Sequence, residues 1–191
     1  MSLATADPPR RHRLTVSDYY RMAEAGILSP EARVELIDGE IIDMAPPGSL
    51  HASTVHRLNR ILVRAAGDAA VVLVQNPVRL SENSEPQPDL ALLRERKDFY
   101  SQQHPGPHDV FLVIEIADAS LRFDRDVKVS LYAAHGIPEV WLVDLRSRRL
   151  VRHRDPQQSA YTKIDEPDLG VPLEISALAG IAVDLQMLFG G

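Results

Sequence analysis

Two acids and an amine in this chain have the types and spacing needed for work on a divalent cation. Glu115 lies inside the apolar run Phe111-Leu112-Val113-Ile114-Glu115-Ile116-Ala117. A carboxylate there is costly unless a salt bridge, a metal ion or protonation offsets its charge. Pro88-Asp89 opens a second apolar run, Leu90-Ala91-Leu92-Leu93, and further on Asp124, Lys128 and Tyr132 recur every four residues. If the two runs are neighbouring strands, Asp89 and Glu115 can meet around one hard cation. Magnesium suits such a pair, because it takes oxygen ligands and keeps several waters. A cation so held activates water and stabilises charge building on a phosphate, and a nearby ammonium adds to that stabilisation. The chemistry implied is phosphodiester hydrolysis.

Several elements must position these groups. Ser17-Asp18 reads as a cap for a helix through Ala25 that Gly26 closes. Asp38-Gly39 sits between two alternating runs from Val34 to Met44, a strong hairpin signal. Val55, Leu58, Ile61, Leu62 and Ala65 recur at helical spacing between His51 and Ala66, with Gly67 as the stop. Val71 to Val74, Leu90 to Leu93, Val110 to Ala117 and Val140 to Val143 read as buried strands, with Val78 to Leu80 a further extension of the sheet. A second helix is expected from Asp124 to His135, its stripe formed by Val127, Leu131 and Ala134. Asp124, Lys128 and Tyr132 then border that stripe, where a long side chain keeps its tip near solvent. Leu150-Val151, Tyr161-Thr162 and Ile181 to Val183 suggest a closing meander, and Phe111, Val113, Glu115 and Ala117 should share one face of their strand. The order predicts an α/β (mixed α+β) fold: a central mixed sheet flanked by helices, with an N-terminal hairpin. Residues 1–13 read as a flexible tail and 14–191 as a single domain.

Bulk properties narrow the function. The 191 residues are 45% hydrophobic, enough for one core, and the net charge of -6 argues against holding nucleic acid by an overall basic field. With no cysteine, thiol nucleophiles and zinc-thiolate sites are excluded. Phosphate-binding glycine loops and serine-nucleophile elbows are absent as well. The first residues lack a signal-peptide core and no apolar run could cross a bilayer, so a cytoplasmic address without membrane contact is expected.

The set Pro88-Asp89, Glu115, Asp124, Lys128 and Tyr132, followed by Gly136-Ile137-Pro138-Glu139-Val140-Trp141-Leu142-Val143-Asp144, resembles the Uma-two type of restriction-endonuclease family in the PD-(D/E)XK nuclease superfamily. Glu35 ahead of Asp38-Gly39, and His51 after the Pro46-Pro47-Gly48 break, are similar to that family's amino-terminal pattern. The resemblance runs from about Ser17 to Val151. It implies a restriction-endonuclease-like core and a Mg2+- or Mn2+-dependent endonuclease acting on DNA. Asp89 and Glu115 would be metal ligands, with the Ile116 carbonyl a third, and Glu35 would hold water or a second ion. The superfamily's lysine usually stands two residues after the second acid. Here that position is Ala117, and Lys128 supplies the amine from the helix instead. Asp124, Tyr132 and His51 would support the site.

Plainer readings stand beside these. Glu115 could pair with a buried base. Asp124 could cap its helix or form an ordinary ion pair with Lys128. Tyr132 could be a packing residue. Arg94, Arg96 and Lys97 follow the Asp89 strand and could meet a phosphate backbone. Pro167-Asp168 repeats the Pro-Asp dipeptide with no lysine or arginine after Lys163, so Asp168 reads as a turn residue. The missing lysine at position 117 and the acidic balance also permit an inactive nuclease fold serving as a nucleic-acid or protein-interaction module. Cutting of a duplex at two sites would suit a homodimer.

Overall fold

The structure, a computed structural model, describes residues 11–190. Helix α1 (Val16–Glu24) is followed by the hairpin β1 (Val34–Ile37) and β2 (Glu40–Asp43), then by the long helix α2 (Ser49–Ala66). Strands β3 (Val71–Val74), β4 (Leu90–Leu93) and β5 (Val110–Ala117) lead into helix α3, residues 121–134. Strands β6 (Glu139–Asp144), β7 (Arg149–Gln157) and β8 (Ala160–Asp165) continue the sheet, and β9 (Leu173–Glu174) pairs with β10 (Ala182–Val183) apart from it.

The main sheet has six strands in the order β3-β4-β5-β6-β7-β8. Only β5 and β6 run parallel, because α3 carries the chain back between them; every other neighbouring pair is antiparallel. All eight residues of β5 are buried, as its unbroken apolar pattern requires of a strand covered on both faces. Val55, Leu58, Leu62 and Ala66 of α2 pack on one face against Leu90, Leu92, Leu112, Ile114 and Trp141. Val129, Leu131 and Ala133 of α3 pack on the other, against Ala91, Leu93, Val113 and Val140. Trp141 is core, as its apolar strand implies. Its indole donates to Glu139 Oε1 at 2.6 Å, and Oε2 of that fully buried acid accepts from the Ser176 N–H at 2.8 Å. Glu139 thereby ties the C-terminal segment to the sheet.

Two one-residue irregularities depart from the simple periodicities. Leu92 faces Leu112 but Leu93 faces Val110, so Phe111 is an extra residue in β5. The bulge sends Phe111 to the α2 face, while Val110, Val113 and Glu115 stay on the α3 side. Phe111 therefore does not share a face with Val113 and Glu115. In α3, a short α-turn at Leu121–Phe123 gives way to a π-turn at Asp124–Lys128 before α-helix resumes over Val129–Ala134. The helix thus starts three residues before Asp124. The widened turn also re-phases it: Val127 is exposed at 37%, whereas Asp124, Lys128 and Tyr132 are buried against the sheet. What the sequence presents as the border of an apolar stripe is the buried face itself.

Local chemistry explains the remaining departures. Thr15 is the cap of α1; its hydroxyl accepts from the Asp18 N–H, and Asp18 reaches back to the Thr15 N–H, making Asp18 part of a capping box instead of the cap. Residues 78–80 are not a strand. Val78 and Leu80 bury their side chains, but their N–H groups bond within the loop, to Pro86 and Ser84. Only β7 and β8 of the expected meander join the main sheet. Asp168 makes its turn by accepting from the Gly170 N–H at 2.8 Å. Most of the expected tail lies outside the described residues, but Arg13 is anchored: it forms an ion pair with Glu40 at 2.8 Å, and the Leu14 N–H donates to Gly39 O.

The hairpin turn is built as its dipeptide implies. Asp38 (φ 47) and Gly39 (φ 73) both take the left-handed conformation that a two-residue primed turn demands. A Cβ on Gly39 would lie 2.7 Å from Arg13 Cβ and 2.9 Å from the Leu14 nitrogen. Gly39→Ala should therefore cost about 2 kcal/mol or more, combining left-handed strain with the clash. Urea denaturation of the variant reads this directly, and an unchanged midpoint would show that the Arg13 segment yields freely.

Candidate active site

Strand register brings the two acids together. Leu90 pairs with Ile114 and Ala91 with Val113, so continuing the ladder one step places Asp89 opposite Glu115 on the α3 side. The Ile116 N–H donates to Asp89 Oδ2 at 2.8 Å, fixing the acid at the end of β4. Gln75, just past β3, donates to Asp89 Oδ1 at 3.2 Å, and His51 Nε2 from the first turns of α2 lies 3.1 Å from both carboxylate oxygens. That contact holds the His51 pKa above its ordinary value, more than offsetting desolvation. The Ile116 carbonyl leaves the strand on the same edge as its N–H and so faces the Asp89 side.

Glu115 is gripped from α3. The Tyr132 hydroxyl donates to Glu115 Oε1 at 2.6 Å, and Lys128 Nζ lies 3.2 Å from the same oxygen. Lys128 also sits 3.0 Å from Glu35 Oε2, which accepts from the Gln87 N–H at 3.0 Å. One turn earlier, Asp124 Oδ2 accepts from the Ser120 hydroxyl at 2.5 Å, so Asp124 is a buried member of the cluster and caps nothing. The Lys128 side chain is only 5% exposed, not a tip near solvent. Lys128 is therefore a true partner of Glu115, as the plainer reading held, but it is shared with Glu35 and outnumbered by acids.

That imbalance shapes the electrostatics. Burial pushes Glu115 up to about 8; Lys128 pulls it back, and Asp124, Asp89 and Glu35 add to the rise. Asp124 is raised for the same first reason. Burial would lower Lys128, yet Glu115, Glu35 and Asp124 together hold it well above the ordinary lysine range. Tyr132 stays protonated, raised by burial and by Glu115. Four carboxylates around one ammonium leave surplus negative charge in a low-dielectric pocket, the condition under which a further cation binds.

The donor chemistry fits a hard divalent cation. Among the described residues no protein group bonds Glu115 Oε2, and Asp124 Oδ1 has no partner either. These unengaged donors, like the Ile116 carbonyl, are oxygen atoms. No three His, Cys, Asp or Glu side chains among the described residues converge as a ready-made metal cage. A magnesium-type ion does not need one, since one or two carboxylates, a carbonyl and waters suffice.

The structure thus brings together Asp89, Glu115, Lys128, Glu35, Asp124, Tyr132 and His51. Arg94, Arg96 and Lys97 fall elsewhere. They follow the opposite end of β4 from Asp89, so Arg94 is roughly 16 Å away at 3.3 Å per residue. Arg96 is also neutralised there by an ion pair with Asp98 at 2.7 Å, and Arg94 is turned to its own end of the sheet, where its Nε donates to His108 O and its guanidinium stacks over Phe111. Gln75, Gln87 and Ser120 escaped the sequence reading. Gln87 acts through its backbone and leaves no side-chain signal. Ser120 could have been found as the residue one helical turn before Asp124.

The match to known families accords with this geometry. Residues 16–186 match the model of the Uma2 family, described as "Putative restriction endonuclease". This chain belongs to the Uma2 family. Among solved structures, a crystal structure described as a putative nuclease belonging to DUF820 from Anabaena variabilis is similar to it, with a TM-score of 0.68 over 92% of this chain and 97% of that one. The two are 14% identical, so this likeness speaks for the nuclease-like fold: a six-stranded mixed sheet, three helices and an N-terminal hairpin. No curated protein matches the chain. The ammonium beside Glu115 comes from α3, while alanine stands two residues after Glu115 in β5.

Proposed function

We propose that this Uma2 chain is a divalent-metal-dependent endonuclease that hydrolyses phosphodiester bonds in DNA. The observation that carries the proposal is the β4–β5 register, which sets Asp89 opposite Glu115 with the Lys128 ammonium 3.2 Å from Glu115. Asp89, Glu115 and the Ile116 carbonyl would hold Mg2+ or Mn2+. Bound there, the ion supplies a water activated at neutral pH and charge neutralisation for a phosphate.

The protein's own groups do the rest. His51, Gln75 and the Ile116 N–H orient Asp89, so its rotamer is set before substrate arrives. Tyr132 and Lys128 fix Glu115 in the same way. Lys128 keeps its proton throughout, held by Glu115 and Glu35, and contributes a fixed positive charge beside the anion that develops on phosphate. Glu35, bonded to Gln87 and Lys128, orients water or a second ion. The ammonium that reaches Glu115 from α3 supports activity despite the alanine at position 117; the acidic balance and that alanine are the grounds for the alternative, an inactive binding module. A single domain from residue 14 onward, a cytoplasmic address and a two-fold dimer presenting two such sites complete the proposal. Among the described residues no helix is long and apolar enough to cross a membrane.

The test is a plasmid-nicking and oligonucleotide-cleavage assay with Mg2+ or Mn2+, run beside Asp89→Asn and calorimetric Mn2+ titration. Wild type should cut and bind Mn2+, while Asp89→Asn should keep its fold, lose cutting and bind the ion at least tenfold more weakly. DNA binding without Mn2+ binding or cutting would turn the assignment toward the interaction module.

A further inference from the structure

The acid-rich pocket must admit a polyanion, and a cation at its mouth is required to offset the repulsion. Arg33 meets that requirement. The Met44 N–H donates to the Arg33 carbonyl at 2.8 Å, so the β1–β2 ladder continues through Arg33, one residue before β1. Alternation then sends the side chains of Arg33 and Glu35 to the same side of the hairpin, about 6.6 Å apart along it. Glu35 is buried on Lys128, whereas Arg33 is exposed. Its guanidinium is anchored at one corner, where Nη1 donates to Ala45 O at 3.0 Å in the turn that leads to α2 and His51.

Arg33 also differs from the other arginines flanking β5 and opening α3. Arg122 and Arg125 lie against Asp126, and Arg146 pairs with Asp118 at 3.0 Å. Among the described residues Arg33 forms no ion pair; a neutral carbonyl holds it, so its full charge and most of its N–H groups remain for a ligand. A guanidinium with a free donor fork is matched to a phosphate.

We propose that Arg33 receives a backbone phosphate next to the scissile one and so sets how the strand lies across Asp89 and Glu115. The inference rests on the nuclease reading above. Its test is fluorescence anisotropy of a labelled duplex in Mg2+, from low to moderate salt, with Glu115→Gln as the non-cutting parent. Adding Arg33→Ala should weaken binding about tenfold and lower the slope of log affinity against log salt by about one, the loss of one phosphate contact. Arg33→Lys should restore the slope, and Lys163→Ala, on β8, should leave both quantities at the parent's values. Weaker binding with the parent's salt slope would mean that Arg33 acts only on the fold and would overturn the proposal, as would unchanged binding; in both cases the nuclease reading survives. A parent that binds no duplex at low salt would remove both.

Discussion

Exchanging Glu115 for glutamine is expected to abolish strand cutting and, at the same time, stabilise the protein in EDTA. Burial raises the Glu115 pKa from an ordinary value of 4.5 to about 8. For an acid with a raised pKa, the folded state binds more protons than the unfolded chain between those two values. Stability therefore falls as pH climbs from about 4.5 to 8 and is flat on either side. At pH 7 the cost of keeping that proton is roughly 3 kcal/mol, at about 1.4 kcal/mol per pH unit. Glutamine never incurs it and still accepts from Tyr132, although its amide hydrogens must be seated beside Lys128. A net gain of about 1–3 kcal/mol at pH 7 is expected. Urea melts at pH 5 and pH 8.5 should show wild type losing stability across the interval and Glu115→Gln losing less. A variant weaker than wild type at both pH values would refute the assignment of Glu115 as a strained acid. Because a ligating carboxylate must be ionised, Mg2+ affinity should rise with pH up to about 8, with proton release on binding below it.

Removing the ammonium should do the opposite. Lys128→Met leaves Glu35 and Glu115, both almost fully buried, without the cation 3.0 and 3.2 Å away. Breaking a buried pair in this way costs about 3–5 kcal/mol, a large share of the 5–15 kcal/mol that holds a typical domain together. Glu115 avoids part of the penalty by holding its proton below about pH 8, so the deficit should be larger at pH 8.5 than at pH 5. Adding Glu35→Gln to Lys128→Met should recover some of the loss, because one uncompensated charge is then removed. Chemical denaturation of the single and double variants measures each term. A loss below about 1 kcal/mol for Lys128→Met would place the ammonium in solvent.

Much of this was legible in the residues because it depends on short-range rules. Asp38-Gly39 dictates its turn through backbone conformation alone. The α2 stripe and the apolar runs of β4 and β5 follow from burial. Asp89 and Glu115 stood out as acids in or beside those runs and Lys128 as an amine beside the α3 stripe, and Glu35 and His51 entered through the family resemblance. The features that stayed hidden depend on tertiary register. Arg94 to Lys97 come soon after Asp89 in sequence, yet a four-residue strand separates the two ends, so nearness along the chain became distance in space. The depth of Lys128 is hidden because an unbroken α-helical period puts it at a border. The true face of Phe111 is hidden because an unbroken strand period puts it beside Val113 and Glu115.

These last two departures share a cause with a consequence for variation in this protein. The strand and the helix that carry the site each contain a single supernumerary residue, and each insertion aligns the residues beyond it. Deleting one residue within 125–127 would let the helix close into regular turns and swing Tyr132 by about 100° around its axis. Deleting Phe111 would oblige the rest of β5 to reverse its two sides, or its start to slip against β4. Either loss would spare every side chain named in the site while scattering them, so indels at these two points are a sharper threat to activity than most point substitutions nearby.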